Sequence, residues 1–363
     1  MNVYRPTFVE VDLGAIRANA RALRPEGAEL LAVVKADAYG HGAVPVARAA
    51  LEGGASWLGV ALVEEGLELR EAGIDAPILV LSELPRGAEK EALAAGLVPT
   101  VYTPEGVRAL AEAGAGGVAV HVKVDTGMHR VGVWPPGAAV GFLRMVAEAG
   151  LEVEGMWTHF ARSEEDPATT RAQLAVFLEV VRAARAAGFS PRLLHAANSA
   201  AAILHPEARL DLVRVGIALY GVPPAPGVGA GLRPALSWRS EVVMVKRLPA
   251  GEALSYGHRY RLERDANVAT VPVGYADGYP RGLSSRADVL IRGRRHRVAG
   301  AVTMDQLLVD CGDDPVAPGD EVVLIGRQGE EEVTAAELAD LLGTIPYEIL
   351  TGIGARVPRR YVG

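Results

Sequence analysis

The stretch LLAVVKADAYGHG, residues 30–42, decides the reading of this chain. An apolar run, Leu30 to Val34, halts on Lys35, and the chain then turns through Asp37, Tyr39, Gly40, His41 and Gly42. Lysine is among the residues least often buried, and an unpaired buried charge is costly. Two readings follow. Lys35 marks a strand end reaching water, or it is an amine held in a pocket with its charge suppressed so that it can act as a nucleophile. The same unit, a short apolar strand followed by a turn and an Ala/Leu/Glu/Arg-rich helix, recurs down the chain. Strands are predicted over 30–35, 57–61, 78–81, 98–102, 118–124, 152–158, 192–196 and 211–215. Helical patterns fill the gaps over 62–72, 86–95, 104–114, 137–149 and 167–187. Thr103-Pro104-Glu105 reads as an N-cap, an N1 proline and an early acid, and Gly73, Gly114, Gly150 and Gly188 fall where helices should stop. Eight strands alternating with helices predict an α/β fold, a (β/α)8 TIM barrel, over a doubly wound sheet, for which no dinucleotide fingerprint is present.

Residues 222–234, VPPAPGVGAGLRP, interrupt the pattern as a Pro/Gly-rich connector. Its GVGAG lacks the preceding strand and following helix that a phosphate-binding loop needs. Beyond it come short strands and turns, with one helix from Thr334 to Leu342 whose Thr334 and Glu337 have capping-box spacing. The expected division is a barrel over 1–230 and a mainly-β C-terminal domain over 231–363, with strand 7–11 a candidate to pair with the latter. Half of the 363 residues are apolar and the formal net charge is −7, which speaks against a nucleic-acid partner. The basic run Arg292 to Arg297 reads as a solvated strand edge or subunit contact. The single cysteine, Cys311, excludes an intramolecular disulfide and reads as a small core residue. Neither a signal peptide nor a membrane-spanning apolar run is seen, so a soluble cytoplasmic protein is expected. No His/Cys/Asp cluster has metal-ligand spacing.

Barrel enzymes draw their reactive groups from the C-terminal ends of the strands. There the sequence places Lys35 and Tyr39, then Lys123 with Asp125 and Arg130, Thr158-His159, His195 through Asn198-Ser199, and Arg214 with Gly216-Ile217. The chain contains four lysines, Lys35, Lys90, Lys123 and Lys246, and two of them end apolar strands. The turns after strands seven and eight are where barrels commonly hold phosphate, on backbone N–H groups at a helix start. A lysine together with a phosphate site suggests pyridoxal phosphate, whose aldehyde condenses with an amine. Arg214 is unusual for such a site. Arginine only donates, so a ring nitrogen facing it must stay unprotonated, and the ring is then a weaker electron sink.

The motifs AVVKADAYGHG, VHVKVDTGMHRVG, MWTHF, HAANSA, DLVRVGIALYG, LSYGHRY, VPVGYADGYPRG, GAVTMDQ and RVPRRY together resemble alanine racemase, in matching order over essentially the whole chain. The resemblance implies a fold-type III pyridoxal 5'-phosphate enzyme, a head-to-tail homodimer with shared active sites, and interconversion of L- and D-alanine that supplies D-alanine for peptidoglycan. It implies that Lys35 holds the cofactor and is the base on the D side, while Tyr256 is the base on the L side, given by the other subunit. His159 and Arg214 would support that tyrosine. Arg130 would meet the cofactor's phenolic oxygen and the substrate carboxylate, with Lys123, carbamylated in many members, orienting it. Tyr39, Ser199, Gly216 and Ile217, with Asn198 beside them, match the phosphate ligands. Met304, Asp305 and Tyr275 match the partner-side substrate pocket, and Arg281 an entryway arginine.

The sequence departs from the family at four places. Ala301 stands for an entryway arginine of some members, Thr303 for a cysteine, and Ala355 for a tyrosine that narrows the pocket. His129 replaces a glycine of the usual motif. The first three keep a broad-specificity or serine-type racemase as the alternative. A decarboxylase of the same cofactor fold type and a non-catalytic cofactor-handling barrel are the remaining rivals; Arg214, YADGYPRG and the C-terminal domain with Tyr256 speak against them.

Overall fold

The structure, a computed structural model, describes residues 4–363. Two compact units emerge. One comprises 14–38 and 43–233; the other comprises the residues up to Leu13, Tyr39–Gly42 and Pro234–Gly363.

The first unit follows one N-terminal strand, β1 (Phe8–Asp12), and contains β2 (Glu29–Val33), β3 (Trp57–Val60), β4 (Ile78–Val80), β5 (Leu97–Val98), β6 (Thr100–Val101), β7 (Ala119–Lys123), β8 (Glu152–Trp157), β9 (Leu193–His195) and β10 (Leu212–Val215). They pair in parallel as β10-β2-β3-β4-β5 and β6-β7-β8-β9. The predicted strand 98–102 is split at Pro99, which has no N–H to give a ladder. Its carbonyl nonetheless accepts from His121 N at 2.9 Å, and β5 pairs one neighbour while β6 pairs the other. The opposite seam is closed by Asp211 N to Leu194 O and Arg214 N to Ala197 O, both 3.0 Å. Eight parallel positions thus close into a (β/α)8 barrel. Strand residues buried on both faces explain the unbroken apolar runs such as Leu30-Leu31-Ala32.

The helix edges follow the sequence. Thr103 caps Pro104–Glu112, its hydroxyl accepting from Gly106 N at 3.0 Å, and Gly73, Gly114, Gly150 and Gly188 take the left-handed conformation that ends a helix. The loop after β7 is folded by Asp125, whose Oδ1 accepts from the N–H groups of Gly127, Met128 and His129.

In the second unit, the largest sheet among the described residues has ten strands. Along its path β1 lies between an antiparallel strand, Leu236–Glu241, and a parallel one, Arg359–Val362. The run Arg292–Arg297 turns between two strands and is lined with carboxylates: Arg294 meets Asp314, Arg295 meets Glu331 and Glu337, and Arg297 meets Asp288. Glu337 is therefore spent on Arg295. The capping box expected at Thr334 is half made, with Thr334 Oγ1 accepting from Glu337 N at 3.0 Å. Cys311 is buried, as its reading as a core residue requires, and burial pushes its thiol up to about 12.

Candidate active site

The turn after β2 has an unusual backbone. Lys35–Gly40 forms one helical turn, and its φ angles are positive: Ala36 53°, Asp37 51°, Ala38 52°, Tyr39 55° and Gly40 79°. It is a left-handed turn, in which four of the residues carry a Cβ at a cost of about 1–2 kcal/mol each. Side chains around it supply the restraint. Glu65 accepts from Ala36 N at 2.7 Å, and also from Ala61 N and Leu62 N at 2.7 and 3.1 Å, so one carboxylate ties the turn to the helix Val63–Glu71. Asp37 Oδ1 accepts from Ala43 N at 2.8 Å. Replacing Glu65 by alanine removes an acceptor from three N–H groups, and a loss of about 1–3 kcal/mol is expected in urea unfolding.

Lys35, at the head of this turn, is half-buried, and its amine has no hydrogen bond or ion pair among the described residues. Burial chiefly, and then Arg130, lower its pKa, against a smaller upward pull from Glu65. The strand end reaching water and the suppressed amine were the two readings of the sequence; this environment has the character of the second.

Lys123 ends β7 and is 4 % exposed. Its amine lies 4.2 Å from the centre of the Trp157 ring. Burial, with Arg214 and Arg130 next, brings its pKa down from 10.5 to about 7. No ion pair with Asp125 forms, because that carboxylate is turned to backbone N–H groups and His129. The sign of the linkage is definite. The unfolded chain holds this proton up to about 10.5 and the folded chain only to about 7, so stability contributed here is complete above 10.5 and lost as pH falls through 7. Lys123→Met should therefore flatten the rise of unfolding free energy between those pH values, by roughly 5 kcal/mol at most, in urea titrations.

Arg214, on β10, is buried at 4 % exposure. Its NH1 donates to His195 Nδ1 at 3.1 Å, and NH2 faces Thr158 O, Ala196 O and His159 Nδ1 at 2.8, 3.0 and 3.3 Å. The Nε–H has no partner among the described residues. The guanidinium also lies 4.6 Å over Trp157. His159 is held well below its usual pKa by burial first and then by Arg214, Lys123, Arg130 and Lys35. With Arg214 donating, His159 Nδ1 accepts and the neutral ring carries its proton on Nε2. Arg130, exposed, makes no ion pair among the described residues.

Two backbone starts lie beside these groups. Asn198 caps Ser199–Leu204 by accepting from Ala201 N at 3.0 Å, and Ser199 Oγ accepts from Gly216 N at 2.9 Å, ahead of the turn Ile217–Tyr220. Lysines 35 and 123, Arg130, Arg214 and these N–H groups form a donor set suited to an anion. A phosphate-bearing aldehyde that needs one free amine and one donor for a ring nitrogen fits it, through Lys35 and the unpartnered Arg214 Nε–H.

The remaining predicted site residues are in the second unit. Tyr39 is buried there, its ring 5.9 Å from Tyr347. Tyr256 is 75 % exposed on a strained turn: Ser255, Gly257 and His258 have φ of 61°, 74° and 48°. Ser255 Oγ donates to Ala301 O at 2.7 Å, and a Cβ on Gly300 would come within 2.7 Å of Leu254 O, so the turn is pinned and the phenol projects. Tyr256 and Thr303 line one depression, and Tyr275 N donates to Thr303 O at 3.0 Å. Met304 and Tyr275 are 53 % and 42 % exposed, and Asp305 pairs with Arg356 at 2.8 Å. Gly274 makes this approach possible, since a Cβ there would be 2.3 Å from Met304 O. Arg281 is exposed.

Sequence reasoning did not single out His121, and placed His195 at a strand end without a role. His121 Nδ1 is 2.8 Å from His195 Nε2, and His195 in turn bonds Arg214. The signal was the alternation in β7, where His121 and Lys123 share a face. His129, in place of a glycine, does take a left-handed φ of 53°, with its ring edge-on to Trp134 at 4.7 Å.

Comparison with known proteins agrees with this geometry. Residues 11–224 match the family described as alanine racemase, N-terminal domain, and 235–361 match alanine racemase, C-terminal domain. An alanine racemase of Symbiobacterium thermophilum is 54 % identical, covering 99 % of this chain and 98 % of its own, and one of Thermobifida fusca is 47 % identical, covering 97 % of each. The crystal structure of alanine racemase from Streptomyces lavendulae superposes with a TM-score of 0.94 at 44 % identity, covering 100 % of this chain and 98 % of that one. That from Bacillus anthracis with bound L-Ala-P gives 0.94 at 40 %, covering 100 % and 96 %. With the two family models matched over 11–224 and 235–361 and a relative matched over 99 % of its length, this chain belongs to the alanine racemase family.

Proposed function

We propose that the chain interconverts L- and D-alanine with pyridoxal phosphate, using Lys35 and Tyr256 as opposed bases, and that it does so in the cytoplasm as a homodimer with shared sites. The observation that carries the reading is the free, half-buried Lys35 amine within a cluster of donors that includes the unpartnered Arg214 Nε–H. When bound, the cofactor supplies an aldehyde for the amine and an electron sink that acidifies the substrate Cα–H. The protein supplies the proton carriers. Inversion needs one carrier on each face of Cα, and a lysine and a tyrosine from different elements meet that need. An ordinary phenol, near pKa 10, is a poor base at neutral pH. The Nε2–H of neutral His159 is the donor that would stabilise it as phenolate, and Arg214 fixes that tautomer.

Ser199, Gly216 and Ile217, with Tyr39 and Asn198, are assigned to the phosphate; Arg130 to the phenolic oxygen and substrate carboxylate; and Met304, Asp305 and Tyr275 to the substrate side of the partner. Lys123, neutral above about pH 7, can add carbon dioxide at its nitrogen and release a proton to solvent, becoming a carbamate anion that orients Arg130. An intact-mass gain of one carbon dioxide, absent in Lys123→Met, would establish it. The product would serve a bacterial cell wall. The deciding experiment incubates the purified protein with pyridoxal phosphate and L-alanine and follows D-alanine by chiral chromatography. Conversion toward an equal mixture supports the reading; none from a cofactor-loaded protein defeats it. Ala301, Thr303 and Ala355, smaller or less reactive than the residues of some relatives, favour serine as the second substrate to offer.

A further inference from the structure

The buried histidines beneath Arg214 form a chain whose direction is fixed by one fact: arginine cannot accept a hydrogen bond. His195 Nδ1, 3.1 Å from Arg214 NH1, must therefore accept. A neutral imidazole that accepts at Nδ1 carries its proton on Nε2, so His195 donates to His121 Nδ1 at 2.8 Å. The same logic moves one ring down. His121 accepts at Nδ1 and carries its proton on Nε2, an atom that is fully buried and has no hydrogen-bond partner. Facing it at 3.7 Å is the Glu154 carboxylate. Glu154 is fixed in turn by Arg192 at 2.7 Å, and Arg192 meets Glu29, at the start of β2, at 3.0 Å. Either ring protonated twice would break the chain, since it would then oppose donor to donor.

The barrel interior is built to hold these rings. His195 stacks on Trp157 at 5.5 Å with 9° between planes, and His121 lies edge-on to His195 at 4.9 Å and beside Trp57 at 5.4 Å. On β8, Gly155 leaves the space; a Cβ there would sit 2.5 Å from His121 Nδ1. A leucine or valine layer would fill a barrel equally well. Imidazoles here serve directionality.

We propose that His121 is a positioning residue for the reaction: it accepts the Nε2–H that Arg214 imposes on His195, and through His195 holds the Arg214 guanidinium in one orientation, with Glu154 closing the far end of the chain. The proposal rests on the reading of Arg214 as the group facing the cofactor. Without an acceptor at His121, the Nε2–H that Arg214 imposes on His195 is left buried and unpaired, and the ring gains by turning away from the guanidinium.

The test is nitrogen NMR of the holoenzyme carrying isotopically labelled histidine, where chemical shifts report which ring nitrogen is protonated, paired with steady-state kinetics. In the natural protein both His195 and His121 should carry the proton on Nε2. In His121→Leu the His195 Nε2 signal should lose the shift of a hydrogen-bonded N–H, and kcat should fall roughly tenfold with the alanine KM within about twofold. His121→Asn puts a carbonyl acceptor where Nδ1 was, and should restore the His195 signals and most of kcat. A natural protein with His195 protonated on Nδ1 or on both nitrogens would overturn the proposal. So would a folded His121→Leu holoenzyme with unchanged signals and rate, or Leu and Asn variants equally impaired. Should the leucine variant not fold, the natural spectrum and the asparagine variant decide alone, loss of the hydrogen-bonded Nε2 signal or of kcat in the latter counting against it. The tautomer is read without turnover, so failure of this chain and failure of the racemase reading are separate results.

Discussion

Lys35→Ala is expected to abolish covalent cofactor binding and to lower racemisation by at least about ten-thousandfold. The residue combines two duties that no neighbour can assume. It is the free amine at the end of β2, half-buried and unpaired, with its pKa drawn down first by burial and then by Arg130, so more of it is neutral than in an exposed lysine. It is also the proton carrier assigned to the D face. Lys123, the other rim lysine, lies over Trp157 on β7 and cannot take its place without leaving that ring. The measurement is the absorbance of the protein-bound cofactor before and after borohydride, with chiral analysis of alanine. Covalent attachment lost and activity lost are the expected pair. A fully active Lys35→Ala protein would remove the central residue from the scheme. Lys35→Arg should fail as badly, because the charge is kept while the reactive amine is not.

Tyr256→Phe carries the second large effect. Only a hydroxyl is removed, from a side chain that is three-quarters exposed and rests on a turn set by backbone and by Ser255, so folding and cofactor binding should be unchanged. Racemisation should fall in both directions, by about 10²–10⁴, since inversion passes protons on both faces and either direction uses both carriers. The informative asymmetry is in hydrogen exchange. The Cα hydrogen of D-alanine should still exchange with solvent through Lys35, while that of L-alanine should stop. Normal rates in both directions would end the two-base assignment.

Much of this was legible in the sequence, for identifiable reasons. Strands buried on both faces give unbroken apolar runs, and a lysine or histidine at the end of one is conspicuous; Lys35, Lys123 and His159 were found in that way. Helix edges were legible where a side chain does the capping, as at Thr103, and where a glycine takes a left-handed φ, as at Gly150. The break at Pro99 escaped the strand prediction because each half pairs a different neighbour, which only barrel closure reveals. His195 was placed at a strand end without a role, because burial and hydrogen bonding are what a structural histidine also has; its part depends on which atom of Arg214 faces it, at long range in sequence. Glu65 was not singled out, and its three backbone partners depend on a loop conformation that composition does not encode. The exposed phenol of Tyr256 was found only through its motif, because a Tyr-Gly pair by itself signals no more than a turn.

The left-handed turn behind Lys35 has a consequence in terms of chirality. For residues 36, 38 and 39 the observed φ of 52–55° is the mirror image of the helix that L-amino acids prefer, and is therefore the relaxed helix of D-amino acids. The protein holds its amine on a few residues of backbone bent in the sense natural to the stereoisomer it is proposed to make. In a semisynthetic chain, D-alanine in place of Ala36 or Ala38 would relieve about 1–2 kcal/mol at that residue. Ala36, whose side chain is exposed, is the position where this gain would appear without a packing loss to set against it.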